Sequence, residues 1–118
     1  MNIGKEVKIA LSAHLDKSIY PEGIHIGDYS AVARDAMILT HDISRRIKSD
    51  VFIGKNCLIG VRAIILPGVT LGDEVIVGAG AVVTKSFPSN CIIAGNPAKI
   101  IRENIKCAPY GKLINTQD

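Results

Sequence analysis

Aliphatic residues recur at every sixth position along most of the chain. The longest series is Ile53, Ile59, Ile65, Leu71, Val77 and Val83, and shorter ones are Ile26, Val32 and Ile38, and Ile3, Ile9 and Leu15. A helix would repeat at three and four positions, and an ordinary strand would alternate at two. The period of six therefore predicts a parallel β-solenoid in which three hexads form one triangular coil.

The repeat divides the chain into four coils, residues 3–20, 26–52, 53–70 and 71–88, which should stack about 4.8 Å apart like neighbouring strands. Ile38 and Ile53 are fifteen positions apart where one hexad takes six, so the second coil carries about nine extra residues. We expect these residues to form an outward loop over residues 44–52. Glycine often follows the repeated aliphatic residue, as at Gly27 and Gly54, where a tight corner requires a backbone without Cβ.

The repeat loses its phase after Val83. The stretch "AGNPAK" predicts a turn, and "AKIIRENIK" predicts a short carboxyl-terminal helix. The pattern thus indicates a solenoid domain over residues 1–103 and a polar, loose tail over residues 104–118.

The composition fits this architecture. Apolar residues make up 47% of the 118 positions, aromatic residues only 4%, and tryptophan is absent, so the core is built from Ile, Val, Leu and Ala. The net charge of +3 without a run of like charges does not indicate a nucleic-acid partner. No apolar run has the length of a signal sequence or membrane span, which favours a cytoplasmic protein without membrane insertion. The three cysteines form no CxxC pair and suit reduced, structural thiols.

Residues 59–103, "IGVRAIILPGVTLGDEVIVGAGAVVTKSFPSNCIIAGNPAKIIRE", resemble the carboxyl-terminal half of a known enzyme family. These are the hexapeptide-repeat, acetyl-CoA-dependent O-acetyltransferases that act on galactosides, maltose and bacterial surface polysaccharides. The resemblance extends in outline over residues 3–103. It implies an all-β, left-handed parallel β-helix, a hand that general rules for crossovers would not predict. It also implies acetyl-CoA as acyl donor and a homotrimer with active sites between subunits.

The stretch "VGAGAVVTK" indicates where the acyl donor binds. Ala79 and Gly80 are small residues on the outer face of the coil, where another chain or a ligand can approach the backbone amides. Further along the chain, Lys99 and Arg102 lie three residues apart and are either phosphate ligands or a solvated pair. The resemblance assigns the pantetheine arm to Val61 and Ala79, the nucleotide end to Thr84 and Lys85, and the phosphates to Lys99 and Arg102.

His41, in "LTHD", lies at the lip of the extra loop. The catalytic histidine of the resembling family occurs at this point, so the resemblance implies that His41 is the general base for an acceptor hydroxyl. Its other ring nitrogen needs an orienting acceptor. Asp16 lies in the coil below and could reach it, whereas the adjacent Asp42 should point away. His14 and His25 precede inward aliphatic residues, a phase that predicts solvated side chains.

Arg45 and Arg46, together with Lys48, occupy the loop beside His41. They form either an acceptor loop that binds an anionic or phosphate-linked sugar, or a solvated basic loop.

Three other functions remain open on this fold. A serine or antibiotic acetyltransferase would share the acyl donor and the base, and a non-catalytic scaffold would share the repeat. A zinc-dependent carbonic anhydrase needs two imidazoles close in sequence, but the histidines here are eleven and sixteen residues apart, so we expect no metal site.

Overall fold

The structure is a computed structural model that describes residues 1–42 and 44–114. It consists of short β-strands and two 3₁₀ turns, Pro21–Gly23 and Pro109–Gly111. Within these ranges, no helix is long and apolar enough to cross a membrane. The strands are β1 (Asn2–Ile3), β2 (Lys8–Ile9), β3 (His14–Leu15), β4 (Ile24–Ile26), β5 (Ala31–Val32), β6 (Met37–Ile38), β7 (His41–Asp42), β8 (Ile47–Lys48), β9 (Val51–Ile53), β10 (Leu58–Ile59), β11 (Ile64–Ile65), β12 (Thr70–Leu71), β13 (Val75–Val77), β14 (Val82–Val83), β15 (Cys91–Gly95), β16 (Ala98–Glu103), β17 (Cys107–Ala108) and β18 (Lys112–Leu113).

Three sheets form the faces of a triangular prism with extents of 46 × 29 × 21 Å. Face A contains β1, β4, β9 and β12; face B contains β2, β5, β10, β13, β15 and β16; face C contains β3, β6, β11 and β14. The parallel pairing stacks the six-residue repeat in register, for example Ile26 on Ile53 and Ile53 on Leu71. The predicted coils are therefore confirmed, and the chain is a left-handed parallel β-helix.

The core is a column of small and aliphatic side chains inside the prism. Each face contributes its repeated aliphatic residue, and a smaller residue such as Ala36, Ala63 or Ala81 fills the space behind the corner. Ser30 is a polar residue in this column, and its hydroxyl donates to the carbonyl of Gly54 (2.7 Å) and accepts from the amide of Cys57 (3.0 Å). Because its polar atoms are satisfied, its burial carries little penalty.

The corners use glycine and left-handed residues at different places. A Cβ on Gly27 would lie 2.7 Å from the carbonyl carbon of Gly54, so the coils approach too closely for any other residue. The left-handed conformation falls two residues later, on Tyr29 (φ 59°) and Asn56 (φ 55°). Glycine is therefore required here for close approach, while the strained backbone dihedral is borne by residues with side chains.

The β-helix continues beyond Val83, where the sequence pattern predicted a loss of phase. The step to the next inward residue is shortened to four, so that Phe87 bridges Leu71 on face A and Ile93 pairs with Val77 on face B. The "AGNPAK" turn is confirmed at Asn96 and Pro97.

The predicted short helix over "AKIIRENIK" is wrong. Residues 98–103 form β16, which pairs antiparallel with β15. The last parallel strand of face B would otherwise leave a row of backbone groups without partners, and β16 supplies those partners.

The tail is packed over residues 105–114, which we call the strap. It runs along the corner between faces A and B, in the direction opposite to coil stacking. Three of its amides donate hydrogen bonds to the coils: Ile105 to the carbonyl of Asn90 (3.2 Å), Cys107 to the carboxylate of Glu74 (2.7 Å) and Tyr110 to the carbonyl of Tyr29 (2.7 Å). The expectation of a loose tail is therefore wrong for the strap, and residues 115–118 lie outside the described residues.

The interruption after His41 is an antiparallel hairpin of β7 and β8. It projects from the corner between faces C and A. Val51 and Phe52, which the sequence pattern placed in the loop, pair with Ile24 and His25 on face A, so the coil resumes at residue 51.

Candidate active site

His41 and Asp16 come together at the base of the hairpin. The Nδ1 atom of His41 lies 2.5 Å from Oδ2 of Asp16, one coil below. Asp16 is only 1% exposed, and the imidazole is mostly buried with one edge open to solvent. With Nδ1 bonded to the carboxylate, Nε2 is the nitrogen that can accept a proton from a ligand.

The surroundings of Asp16 keep it ionised. Burial raises the pKa of its carboxyl group, but hydrogen bonds from Ser18, from the amide of Thr40 and from His41 outweigh burial, so the pKa lies below its usual value. A carboxylate held in this form accepts the Nδ1 proton and fixes the ring tautomer. The pairing that the coil count suggested is therefore present, and we call His41 and Asp16 the dyad.

Two excursions from the repeat support this dyad. The first, residues 16–23, and the second, residues 39–42 and 44–50, both leave the corner between faces C and A. The hydroxyl of Thr40 donates to the carbonyl of Tyr20 (2.7 Å), and the phenol of Tyr20 donates to the carboxylate of Asp50 (2.6 Å). The position of His41 is thus set by both excursions.

His25 belongs to this support, which the sequence did not indicate. Its Nε2 lies 2.8 Å from the second oxygen of Asp50, and its ring stacks on Phe52 with centroids 4.3 Å apart. The expectation of a solvated His25 is therefore wrong, whereas His14 is exposed as predicted. Asp50 lies 30 residues beyond Tyr20 and 25 residues beyond His25 in the chain. The sequence signal for these contacts was a single aromatic residue, Tyr20, in the first excursion.

Asp42 points away from the dyad, as expected from its adjacent position. It accepts hydrogen bonds from Ser44 and from Nε of Arg45 (2.8 Å). Hydrogen bonds from the Ser44 and Arg45 side chains lower the pKa of its carboxyl group to about 2. Arg45 is therefore occupied in shaping the hairpin turn.

A cleft of about 320 Å³ opens beside His41 on the side of the hairpin. Ile19 and Ile47 give it apolar walls, and Arg46 and Lys48 bring cationic side chains to it. Of the two arginines predicted for an acceptor loop, Arg46 lines the cleft and Arg45 does not.

Val61 and Ala79 occupy neighbouring levels of the corner between faces B and C. Both are exposed, and the amide of Gly80 donates to the carbonyl of Val61 (2.8 Å). Within the part of the chain that the structure describes, Ala79 takes no part in backbone hydrogen bonding. A Cβ on Gly80 would meet no atom within 4 Å, so the space in front of this backbone is open. The corner fits a ligand that pairs with backbone groups, as the amides of a pantetheine arm would.

Thr84 and Lys85 lie at the upper end of face C, where the coil turns towards Phe87. Both are exposed, and the ammonium of Lys85 lies 5.6 Å from the ring centroid of Phe87. Both side chains are accessible to a ligand at this end of the prism.

Lys99 and Arg102 lie on β16 and point outward from the same side. Lys99 pairs with Ala94 and Arg102 pairs with Ile92, two residues on one side of β15. In a regular strand, positions three apart face opposite ways. A register shift at this point of the ladder brings the two cations to one side.

His41 lies at a different corner from Val61 and Ala79. His41 follows face C, whereas Val61 and Ala79 precede it, so a whole face of the prism separates them within one chain. The structure therefore groups His41 with Asp16 and Arg46, and groups Val61 with Ala79, without joining the two groups.

Known proteins are similar to this chain in sequence and in fold. A family model described as the hexapeptide repeat of succinyl-transferase matches residues 50–85. The putative acetyltransferase YvoF of Bacillus subtilis is 36% identical over 103 residues, which cover 86% of this chain and 59% of YvoF. A maltose O-acetyltransferase from Clostridium difficile is 31% identical and superposes with a TM-score of 0.68, covering 86% of this chain and 68% of that protein. The chain belongs to the hexapeptide-repeat acetyltransferase family.

One solved member of this family contains the acyl donor. A hexapeptide-repeat acetyltransferase of Vibrio cholerae, crystallised with acetyl coenzyme A, is 27% identical, with a TM-score of 0.76 over 86% of this chain and 58% of that one. The chain spans little more than half the length of the curated relatives it matches over most of its own length.

Proposed function

We propose that the chain is an acetyl-CoA-dependent O-acetyltransferase that acylates a hydroxyl of a sugar or polysaccharide precursor, with His41 as general base. The observation that carries the proposal is the dyad of His41 and Asp16 at the lip of an open cleft. Membership of an acetyltransferase family and the donor complex of the Vibrio cholerae relative support the reaction class.

His41 activates the acceptor. Its Nε2 takes the proton of a hydroxyl group as that oxygen attacks the carbonyl carbon of the acetyl thioester. The imidazolium that forms is stabilised by the ionised Asp16 on the other nitrogen. The C–S bond then breaks, and the proton on His41 passes to the departing thiolate, so the base returns to its starting state.

The acyl donor supplies the activated acetyl group, and the chain provides three contacts for it. The exposed backbone at Val61 and Ala79 receives the pantetheine arm. Thr84 and Lys85 lie towards the nucleotide, and Lys99 and Arg102 receive the phosphates, since their side chains emerge from one side of β16.

A homotrimer would complete the site. Within one chain the base and the donor corner are separated by face C, so a neighbouring subunit is needed to bring its donor corner next to His41. Leu11, at the foot of the corner that carries Val61, is 107% exposed, and an apolar side chain in that position gains from burial against another subunit. Family members with sites between subunits set the same expectation.

The test is release of free thiol from acetyl-CoA across a panel of galactosides, maltose, polysaccharide fragments and serine. The assay is clean because Cys57, Cys91 and Cys107 are all buried, and burial raises the pKa of the Cys57 thiol to about 11. We expect release with a sugar hydroxyl and release slower by about 10²- to 10⁴-fold after His41→Ala. Acetylation of serine in preference to every sugar would contradict the acceptor class, and absence of CoA binding would favour the scaffold.

A further inference from the structure

We propose that the cleft beside His41 selects acceptors that carry a negative group close to the hydroxyl that is acylated, and that Lys48 and Arg46 bind that group. The inference rests on the proposed function, because it names the class of acceptor for the same site. It differs from the sequence expectation in the residues that do the binding, since Arg45 is engaged elsewhere.

Lys48 is the cross-strand partner of His41 in the hairpin. Partners in an antiparallel pair project from the same side of the ribbon, with Cβ atoms about 5 Å apart. A group bound by the Lys48 ammonium is therefore on the same side as the hydroxyl that His41 deprotonates. The two functional groups of the acceptor must lie on one sugar ring or on adjoining rings.

The carboxylates near the cleft already have partners other than Arg46 and Lys48. Asp42 is paired with Arg45 at 2.8 Å, and Asp16 is buried and accepts hydrogen bonds from His41 and Ser18. Among residues 1–42 and 44–114, neither Arg46 nor Lys48 forms an ion pair.

An aromatic ring holds Lys48 without neutralising it. Its ammonium lies 5.5 Å from the centroid of Tyr20, and such a contact restrains a cation while leaving its charge available to an anion. The carboxylate nearest to that ring, Asp50, is already bonded to the Tyr20 phenol and to His25. The positive charge of Lys48 therefore remains available to a ligand.

The walls of the cleft suit the apolar side of a sugar ring. Ile19 is 53% exposed and Ile47 is 41% exposed, and both border the cleft. The C–H side of a pyranose can pack on these side chains while its anionic substituent meets the cations. A carboxylate and a phosphate present the same oxygen chemistry, so both are candidates for that substituent.

The experiment compares three probes, methyl β-galactopyranoside, its uronate with a carboxylate at C6, and its 6-phosphate. Binding is measured by NMR titration of the wild-type protein in the presence of CoA, so that turnover is not required. We expect the charged probes to bind about tenfold more tightly than the neutral one and to shift the His41 imidazole signals. The carboxylate and phosphate arms identify which anion fits better.

Two variants assign the preference to its residues. Lys48→Gln should remove about tenfold of the preference for charged probes and leave affinity for the neutral probe and for CoA unchanged. Lys55→Gln, which removes an exposed lysine at the corner between faces A and B, is the matched control and should keep the preference.

Equal binding of the three probes to wild type would overturn the inference, as would a Lys48→Gln protein that still prefers the charged probes. Failure of the proposed function gives a different result: no acetyl group is transferred to any probe, whether or not the protein prefers to bind the charged probes. The two hypotheses can therefore fail separately.

Discussion

The corner between faces A and B and the corner between faces C and A are built from the same repeat but put the chain to opposite uses. The strap covers the first corner and bonds to coil after coil, at Asn90, Glu74 and Tyr29. At the second corner the chain leaves the coil twice and returns, and there it places His41 over Asp16. Because the ladders run through the faces, a corner can be lengthened or covered without breaking them. The comparison predicts that changes at the strapped corner alter stability alone, whereas changes at the corner between faces C and A alter the chemistry of the site.

His41→Ala should give the largest effect, confined to the corner between faces C and A. A positioned histidine contributes about 10²- to 10⁴-fold to rate, so kcat should fall by that factor. The donor contacts do not use this side chain, so the Kd for acetyl-CoA and the melting temperature should change little. Steady-state kinetics with calorimetry of donor binding measures both. A loss of less than about tenfold in kcat would contradict the general-base role.

Gly111→Ala should break the strapped corner instead. The added Cβ would approach the backbone and side chain of Leu58 too closely, and Gly111 has a φ of 67°. Strain and overpacking together should lower the free energy of unfolding by about 2–4 kcal/mol. Gly80→Ala is the matched control, because its φ is 71° but its Cβ would meet nothing within 4 Å. Thermal or urea unfolding compares the two variants, and equal losses would mean that the strap packing adds little.

Asp16→Asn should alter the stability of the corner between faces C and A as well as its chemistry. Its folded-state pKa is lowered, so its stabilising effect is present above the unfolded value of about 3.9 and is lost as pH falls through the folded value. At pH 7 the variant should be about 1–3 kcal/mol less stable than wild type. The difference should shrink as pH falls below about 4, and unfolding curves at several pH values measure it. A constant difference would assign the loss to packing.

Lys99→Gln with Arg102→Gln should have the smallest effect, since both side chains are exposed. Acetyl-CoA affinity should fall by about tenfold or less and become less sensitive to salt. Neither stability nor the pH dependence should change, because β16 keeps its backbone pairing. Lys106→Gln, which removes an exposed lysine of the strap three residues beyond β16, is the control. If the double variant binds the donor as wild type does at both low and high salt, the phosphates are held elsewhere.

Much of the fold follows from the sequence because its information is periodic. A step of six predicted the coils, the register and the inward residues, and it located the interruption beside His41. The same count placed Asp16 one level below His41, so the dyad could be proposed before its geometry was known. The step from Val83 to Phe87 is only four residues, so the period ends there, and the sequence did not predict β15 as a further strand of face B.

Other features depend on contacts that no local pattern contains. Residues 98–103 carry no strong preference between helix and strand, and the open edge of β15 selected the strand. The strap carries no six-residue period, and its hydrogen bonds are made to residues of distant coils. The contacts of Asp50 with Tyr20 and His25 likewise join residues far apart in the chain.

The sequence by itself determined the repeat and the family and placed a histidine at the interruption, because a six-residue period and the residue at which it stops are visible along one dimension. Tertiary structure alone decided which cations face the cleft and that Lys48 stands opposite His41. It also brought Lys99 and Arg102 to one side of a strand. Side-chain direction depends on register and on irregularities in pairing, and these are fixed by partner strands, whose energetics a linear pattern does not contain.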